Sequence, residues 1–170
     1  GLHSHFAFDE TDGEIVANQV MTEQPGRVIG SAKRVPGRVS AAATVSSALM
    51  LDGSNYVDAG QVGAFDNTDK FSFAVWLQLS SADPSAVLSK IDEANAYRGY
   101  DLIMKGGKVA AHFVNAWPAK AFKVVSKNSI SLNEWHHVVI TYDGSLRATG
   151  VKIYVDGTLQ EFETTTDNEL

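Results

Sequence analysis

The stretch that decides the fold is WHHVVITYDGSLRATGVKIYVDG, residues 135–157. Its first part, Trp135–Tyr142, is rich in β-branched and aromatic residues, which is typical of a strand covered on both faces. Asp143 and Gly144 then predict a turn, because glycine readily adopts the positive φ that a reversal needs. The alternation of Val151–Val155 predicts a second strand after the loop.

The end of this stretch predicts a β-hairpin. Asp156 and Gly157 are a favoured pair for a two-residue hairpin loop, and residues 158–162 follow as the return strand. With that loop, Lys152 falls opposite Glu161, and opposite charges in facing positions stabilise a strand pair. We therefore expect an ion pair between these two side chains across the hairpin.

A Gly-Gly pair at 106–107 predicts a second hairpin, between strands over 100–105 and 108–114. The register that this loop sets places Asp101 opposite His112 on the face directed away from the core. A slip by one residue would bury both polar side chains, so this register is strongly preferred. The core face then carries the facing pairs Tyr100 and Phe113, Leu102 and Ala111, and Met104 and Val109.

The remaining segments extend the all-β pattern. Residues 71–79 alternate clearly, with Phe71, Phe73, Val75 and Leu77 inward. Further short strands are predicted at 3–8, 27–29, 48–51, 56–58, 87–91 and 122–126, with an irregular connection over 18–40 and one helical turn within 41–48. Roughly ten short strands with no long helix predict an antiparallel two-sheet β-sandwich. We expect its core to contain Phe71, Phe73, Val75, Leu77, Leu102, Phe113, Val138 and Ile140.

Composition limits the classes of partner. A chain of 170 residues with 44% hydrophobic residues suits one globular domain. Its formal charge of −6 argues against nucleic acid as a partner. No apolar run approaches the ~20 residues of a membrane span, so we expect no membrane insertion. The chain has no cysteine, which excludes disulfide bonds.

Four segments carry a family resemblance: HFAFDETDG (5–13), ALMLDGSNYVDAG (48–60), FSFAVWLQL (71–79) and the stretch 135–157. Together they resemble the laminin G-like branch of the concanavalin A-like lectin/glucanase superfamily. The resemblance implies a concanavalin A-like jelly roll as a single domain over 1–170 that lacks the family's final strands. It also implies an extracellular, cell-surface or periplasmic location, and other domains in a longer parent chain.

The resemblance further implies that a sugar would be held on the outer face of one sheet or on the rim loops. Asp101 and His112 lie on such a face, and Trp117 is the foremost candidate for stacking on a sugar ring. The adjoining loops add Tyr97, Arg98 and Asn115. The alternative is that Trp117 folds back onto the core and that Asp101 and His112 form a plain surface pair.

Catalysis is not expected. The glucanases of the superfamily carry carboxylates on one strand face, and a retaining pair lies ~5–5.5 Å apart. This sequence has no Glu-x-Asp-x-Glu segment, so we expect no enzyme activity. Two functions remain: a non-catalytic carbohydrate-binding module with a glycan ligand, or a protein-interaction or spacer domain.

Calcium is the one cofactor that the resemblance implies, because related domains often hold one calcium ion at the sandwich rim. Hard cations take several oxygen ligands from carboxylates and carbonyls. Asp9 and Asp12 are the best-placed side chains, with Asp52 a further candidate. The alternative is that these aspartates only serve turns.

Overall fold

The computed structural model describes residues 1–39 and 45–170. Within them the chain forms short strands and two short 3-10 helices, Glu93–Asn95 and Ala148–Gly150. The strands are β1 (Ile15–Val16), β2 (Gly26–Ile29), β3 (Lys33–Val39), β4 (Val45–Met50), β5 (Tyr56–Asp58), β6 (Phe71–Gln78), β7 (Ser85–Asp92), β8 (Arg98–Lys105), β9 (Lys108–Ala116), β10 (Lys120–Ser129), β11 (Trp135–Tyr142), β12 (Val151–Val155), β13 (Thr158–Gln160) and β14 (Phe162–Asp167). The described part of the chain contains no helix long and apolar enough to cross a membrane.

The chain separates into two compact units, residues 1–64 and residues 65–170. The second unit holds a five-stranded sheet in the order β14-β10-β9-β8-β7 and a four-stranded sheet in the order β13-β12-β11-β6. All of their strand pairs are antiparallel. The predicted all-β, two-sheet sandwich is therefore confirmed.

The core of the second unit is built from the inward faces of both sheets. Phe122 is fully buried, with its ring stacked on Phe113 at a centroid distance of 4.9 Å and Tyr142 beside both. The predicted core residues Leu77, Leu102, Phe113, Val138 and Ile140 are buried here, while Phe71, Phe73 and Val75 are partly buried against the same cluster.

The register predicted for the Gly-Gly hairpin is confirmed. β8 and β9 pair with Asp101 opposite His112 and with Leu102 opposite Ala111. Tyr100 and Met104 face their predicted partners too. Side-chain alternation and loop length were sufficient to set this register because one face of the pair is buried and the other is not.

The predicted Lys152–Glu161 pair is wrong. β13 ends at Gln160, so the hairpin ladder stops one residue before Glu161. The backbone carbonyl of Glu161 accepts a hydrogen bond from the N–H of Lys127 in β10, at 2.9 Å, and its carboxylate lies 2.8 Å from the Lys127 ammonium. The chain thus leaves the four-stranded sheet at this point, and β14 joins the five-stranded sheet.

The first unit contains a three-stranded sheet in the order β1-β2-β5 and the hairpin β3-β4. The predicted irregular connection over 18–40 is more regular than expected, since the whole of β2 and the whole of β3 lie within it. The helical turn predicted within 41–48 is wrong for residues 45–48, which belong to strand β4. Positions 41–44 lie outside the described residues.

The strand predicted at 3–8 is also wrong, since only one isolated bridge joins Phe6 to Asn18 there. Phe8 has a φ of +60°, which ends any extended run. The buried Asn18 side chain takes the place of a partner strand, because its Oδ1 accepts the backbone N–H groups of His5, Val20 and Met21.

Candidate binding site

The centre of the candidate site is the Asp101–His112 pair on the outer face of the five-stranded sheet. Oδ1 of Asp101 lies 2.7 Å from the ring Nδ1 of His112 and accepts the backbone N–H of the same residue at 3.1 Å. Each side chain is only 16% exposed. The contact with Nδ1 holds the imidazole ring in one orientation, and the contact with the backbone N–H holds the carboxylate in place.

Trp117 lies beside this pair, in the connection from β9 to β10. Its ring meets the His112 ring edge-on, with centroids 5.8 Å apart and planes at 83°. The Trp117 backbone N–H donates to the carbonyl of Ala96 at 2.9 Å, which ties this connection to the loop before β8. The side chain is 41% exposed, so part of the indole face is accessible.

A polar band crosses the five-stranded sheet through this pair. His112 is opposite Asp101 on one side and Lys123 on the other, and facing residues of a ladder share a face. The band continues to Ser89 in β7 and to Thr166 in β14. It offers a carboxylate, an imidazole, an ammonium group and two hydroxyl groups in one row.

Sequence reasoning missed Ser89, Lys123 and Thr166 as members of this band. Their positions depend on how β7, β10 and β14 pair, and a bulge shifts the register in each of those three ladders. The Asp101–His112 pair could be found because one tight hairpin sets it.

The other three predicted ligand residues lie at the same end of the β8–β9 hairpin as Trp117. Arg98 Nε donates to the backbone carbonyl of Asn115 at 3.5 Å, which brings these two residues together. Tyr97 follows Ala96 in a turn where both have positive φ, and its side chain is exposed. The structure thus places Tyr97 in the loop that Trp117 contacts through its backbone.

The three aspartates predicted to hold calcium differ in their surroundings. Asp9 Oδ1 accepts the backbone N–H of Ser47 at 3.2 Å. Asp52 Oδ1 accepts the hydroxyl and the N–H of Ser54, and the hydroxyl contact is the larger cause that lowers the pKa of Asp52. Asp12 is exposed. Among residues 1–39 and 45–170, no three acidic, histidine or cysteine side chains lie close enough together to hold a metal ion through side chains alone.

A cleft of about 570 Å³ lies in the first unit, lined in part by Asp9, Thr11 and Ser47. Glu10 and Arg34 form an ion pair at 3.0 Å on its wall. Nη2 of Arg34 is buried without a hydrogen-bond partner among the described residues, but no aromatic side chain is among the residues described as lining the cleft. The polar band of the five-stranded sheet, which lies beside Trp117, is therefore the stronger candidate.

Comparison with known proteins agrees with this architecture. Residues 51–170 match the family described as the concanavalin A-like lectin/glucanases superfamily, in its laminin G-like branch. No curated protein matches the sequence significantly.

Two solved structures are similar in fold. The crystal structure of an S-layer domain-containing protein from Clostridium thermocellum has a TM-score of 0.60 and 18% identity, covering 96% of this chain and 72% of that one. The binding domain of botulinum neurotoxin DC, in complex with rat synaptotagmin II, has a TM-score of 0.56 and 12% identity, covering 99% of this chain and 44% of that one. At these identities the likeness concerns the fold alone. The family match spans most of the chain and includes both sheets of the sandwich, so this chain belongs to the concanavalin A-like lectin/glucanases superfamily.

Proposed function

We propose that this domain is a carbohydrate-binding module of an exported or cell-surface protein, with its site beside Trp117 on the five-stranded sheet. The observation that carries the proposal is the partly exposed indole of Trp117 packed edge-on against an imidazole that Asp101 holds in place. Aromatic rings stack on the apolar faces of sugars, and fixed polar groups beside them bond sugar hydroxyls. The polar band supplies such groups.

The same band favours binding without cleavage of glycosidic bonds. A retaining glycosidase needs two carboxyl groups ~5–5.5 Å apart on either side of the bond. Asp101 is the only carboxylate in the row formed with Ser89, His112, Lys123 and Thr166, and its Oδ1 is engaged by His112. This arrangement supports a ligand-binding role for Asp101.

A glycan array followed by calorimetry on the best ligand tests the proposal. Trp117→Ala should weaken that ligand at least about tenfold, the effect of losing ~1.4 kcal/mol of binding free energy. Trp76→Ala is the matched control, because Trp76 is 44% exposed but belongs to the four-stranded sheet. Equal affinity of Trp117→Ala and the unsubstituted domain would contradict the proposal.

A protein ligand is the second candidate function. The outer face of the four-stranded sheet carries exposed Trp76 and Leu159, with Trp76 stacked on His137 at a centroid distance of 4.9 Å. Exposed aromatic and aliphatic side chains are typical of protein interfaces. Two results together would support this second function over the first. The glycan array would show no bound glycan, and a protein partner would bind Trp76→Ala more weakly than the unsubstituted domain while binding Trp117→Ala equally well.

A further inference from the structure

The side chains of Ser131, His136 and Asp156 form a hydrogen-bonded chain near the start of β11. The ring of His136 lies between the other two side chains, with Nδ1 2.7 Å from Oδ2 of Asp156 and Nε2 2.8 Å from Oγ of Ser131. One ring nitrogen therefore faces a carboxylate and the other faces a hydroxyl. A nucleophile in contact with a base that a third group orients is the general arrangement of nucleophilic catalysis.

The carboxylate of this chain is held in place by its neighbours. Its other oxygen, Oδ1, accepts the backbone N–H of His137 at 2.8 Å, and the backbone N–H of Asp156 donates to the His137 carbonyl at 2.9 Å. The hydrogen bond from His137 is the main cause that lowers the pKa of Asp156. An ionised Asp156 accepts a hydrogen bond from the N–H of Nδ1, which leaves the lone pair of Nε2 directed at Ser131.

The hydroxyl is accessible while its base is largely buried. Ser131 lies exposed in the loop between β10 and β11, whereas the His136 side chain is 12% exposed. The backbone N–H of Asn133 donates to the carbonyl of Leu79 at 2.7 Å, which anchors the loop. In α/β-hydrolases the backbone N–H of the residue after the nucleophile forms part of the oxyanion hole. The residue in that position here is the exposed Leu132.

We propose that Ser131 is a nucleophile that accepts the acyl group of small esters, with His136 as its general base. In the first step Oγ bonds to the ester carbonyl carbon, the hydroxyl proton moves to Nε2 of His136, and the bond to the alkoxy group breaks. His136 returns that proton to the leaving alcohol. Water then hydrolyses the acyl-serine with the same base, which releases the carboxylic acid and restores Ser131. Asp156 acts as a positioning residue.

Glu134 provides an internal comparison. Its Oε2 is a second acceptor for the Ser131 hydroxyl, which has only one proton to donate. If His136 is the base, Glu134→Gln replaces the carboxylate by a weaker, uncharged acceptor and leaves the reaction intact. If Glu134 were the base, the same change would abolish the reaction while His136→Gln would spare it.

The experiment measures covalent labelling of the whole chain by a fluorophosphonate probe, together with hydrolysis of p-nitrophenyl acetate. The probe reports the same chemistry, because Oγ bonds to phosphorus as fluoride leaves. Labelling should map to Ser131 in a peptide mass spectrum. Both rates should fall about 10²-fold in Ser131→Ala and in His136→Gln.

Ser81→Ala is the matched control, because Ser81 also faces a carboxylate, Asp83 at 2.9 Å, but the contact involves no histidine. Its rates should equal those of the unsubstituted chain. For Asp156→Asn, nitrogen NMR of the His136 ring should show the proton moved from Nδ1, in parallel with a lower rate. The tautomer change alone follows from loss of the carboxylate, but a rate that falls together with it would not follow from a merely structural role.

Two results would overturn the proposal. One is labelling of the native chain no faster than that of Ser131→Ala. The other is loss of labelling in Glu134→Gln with retention in His136→Gln. Since Ser131 is exposed, its alanine variant keeps the fold, and the first comparison is decisive even where His136→Gln unfolds.

Discussion

Asp101 and His112 face each other across β8 and β9, and one carboxylate oxygen contacts both the ring Nδ1 and the backbone N–H of the histidine. The pair is mostly buried although it lies on the outer face of the sheet. When one partner of such a buried pair is removed, the other stays buried without its hydrogen bond, and the folded state is destabilised by the cost of having desolvated it.

Asp101→Ala should therefore lower the free energy of unfolding by about 1–3 kcal/mol. Urea denaturation measures this loss. Asp92→Ala is the control, because Asp92 precedes the 3-10 helix at 93–95 without a side-chain capping bond and is exposed. A loss of equal size in both variants would show that the contacts of Asp101 with His112 contribute nothing specific.

Gly99 should not tolerate a side chain. Its φ is +135°, and an added Cβ would lie 1.8 Å from the carbonyl oxygen of Lys90 in the neighbouring strand β7. Gly99→Ala must displace that strand, and we expect a loss of about 3 kcal/mol in stability.

Gly106→Ala is the comparison for Gly99. Gly106 also has a positive φ, +62°, but an added Cβ would meet nothing within 4 Å. Gly106→Ala should lower the free energy of unfolding only by the strain of a left-handed backbone conformation, about 1 kcal/mol. Equal losses in the two variants, measured by denaturation, would refute the role given to the Lys90 carbonyl.

How far the sequence determines this fold differs between the segments. The register of the β8–β9 hairpin and the Asp101–His112 pair were predictable, because a two-residue loop and a one-sided core leave a single solution. The irregular start at 3–8 was not, because it depends on a distant side chain, Asn18, that satisfies the backbone. The contact of Ser131 with His136 was likewise hidden, since it depends on the path of an irregular loop.

Phe122 should be more sensitive to truncation than Phe73. Phe122 is fully buried against Phe113 and Tyr142, whereas Phe73 is only partly buried against the core. Phe122→Ala should cost about 3–5 kcal/mol, and Phe73→Ala about 3 kcal/mol or less. Calorimetric melting of both variants checks the order, and a larger loss for Phe73→Ala would mean that the packing is described wrongly.

Calcium stays a prediction that rests on the family resemblance. An ion held by Asp9 or Asp12 would bind the native state only and would raise Tm by mass action. The measurement compares Tm in millimolar calcium with Tm in chelator, and Asp12→Asn should reduce the difference. A melting curve that calcium leaves unchanged would contradict the prediction.

Asp156 should contribute to stability in a pH-dependent way. Its folded-state pKa lies below the ordinary value of 3.8, first because of the hydrogen bond from the His137 N–H and then because of His136. A lowered pKa gives a contribution that is fully present above the unfolded pKa and is lost as the pH falls through the folded pKa.

Asp156→Asn removes the charge but keeps the Asx-Gly turn, since asparagine also tolerates the positive φ of this position, +51°. The unsubstituted chain should be more stable than the variant at pH 7, and the difference should shrink below about pH 4. Denaturation at a series of pH values measures it. A stability difference that stays constant from neutral to acid pH would show that the Asp156 charge is not responsible.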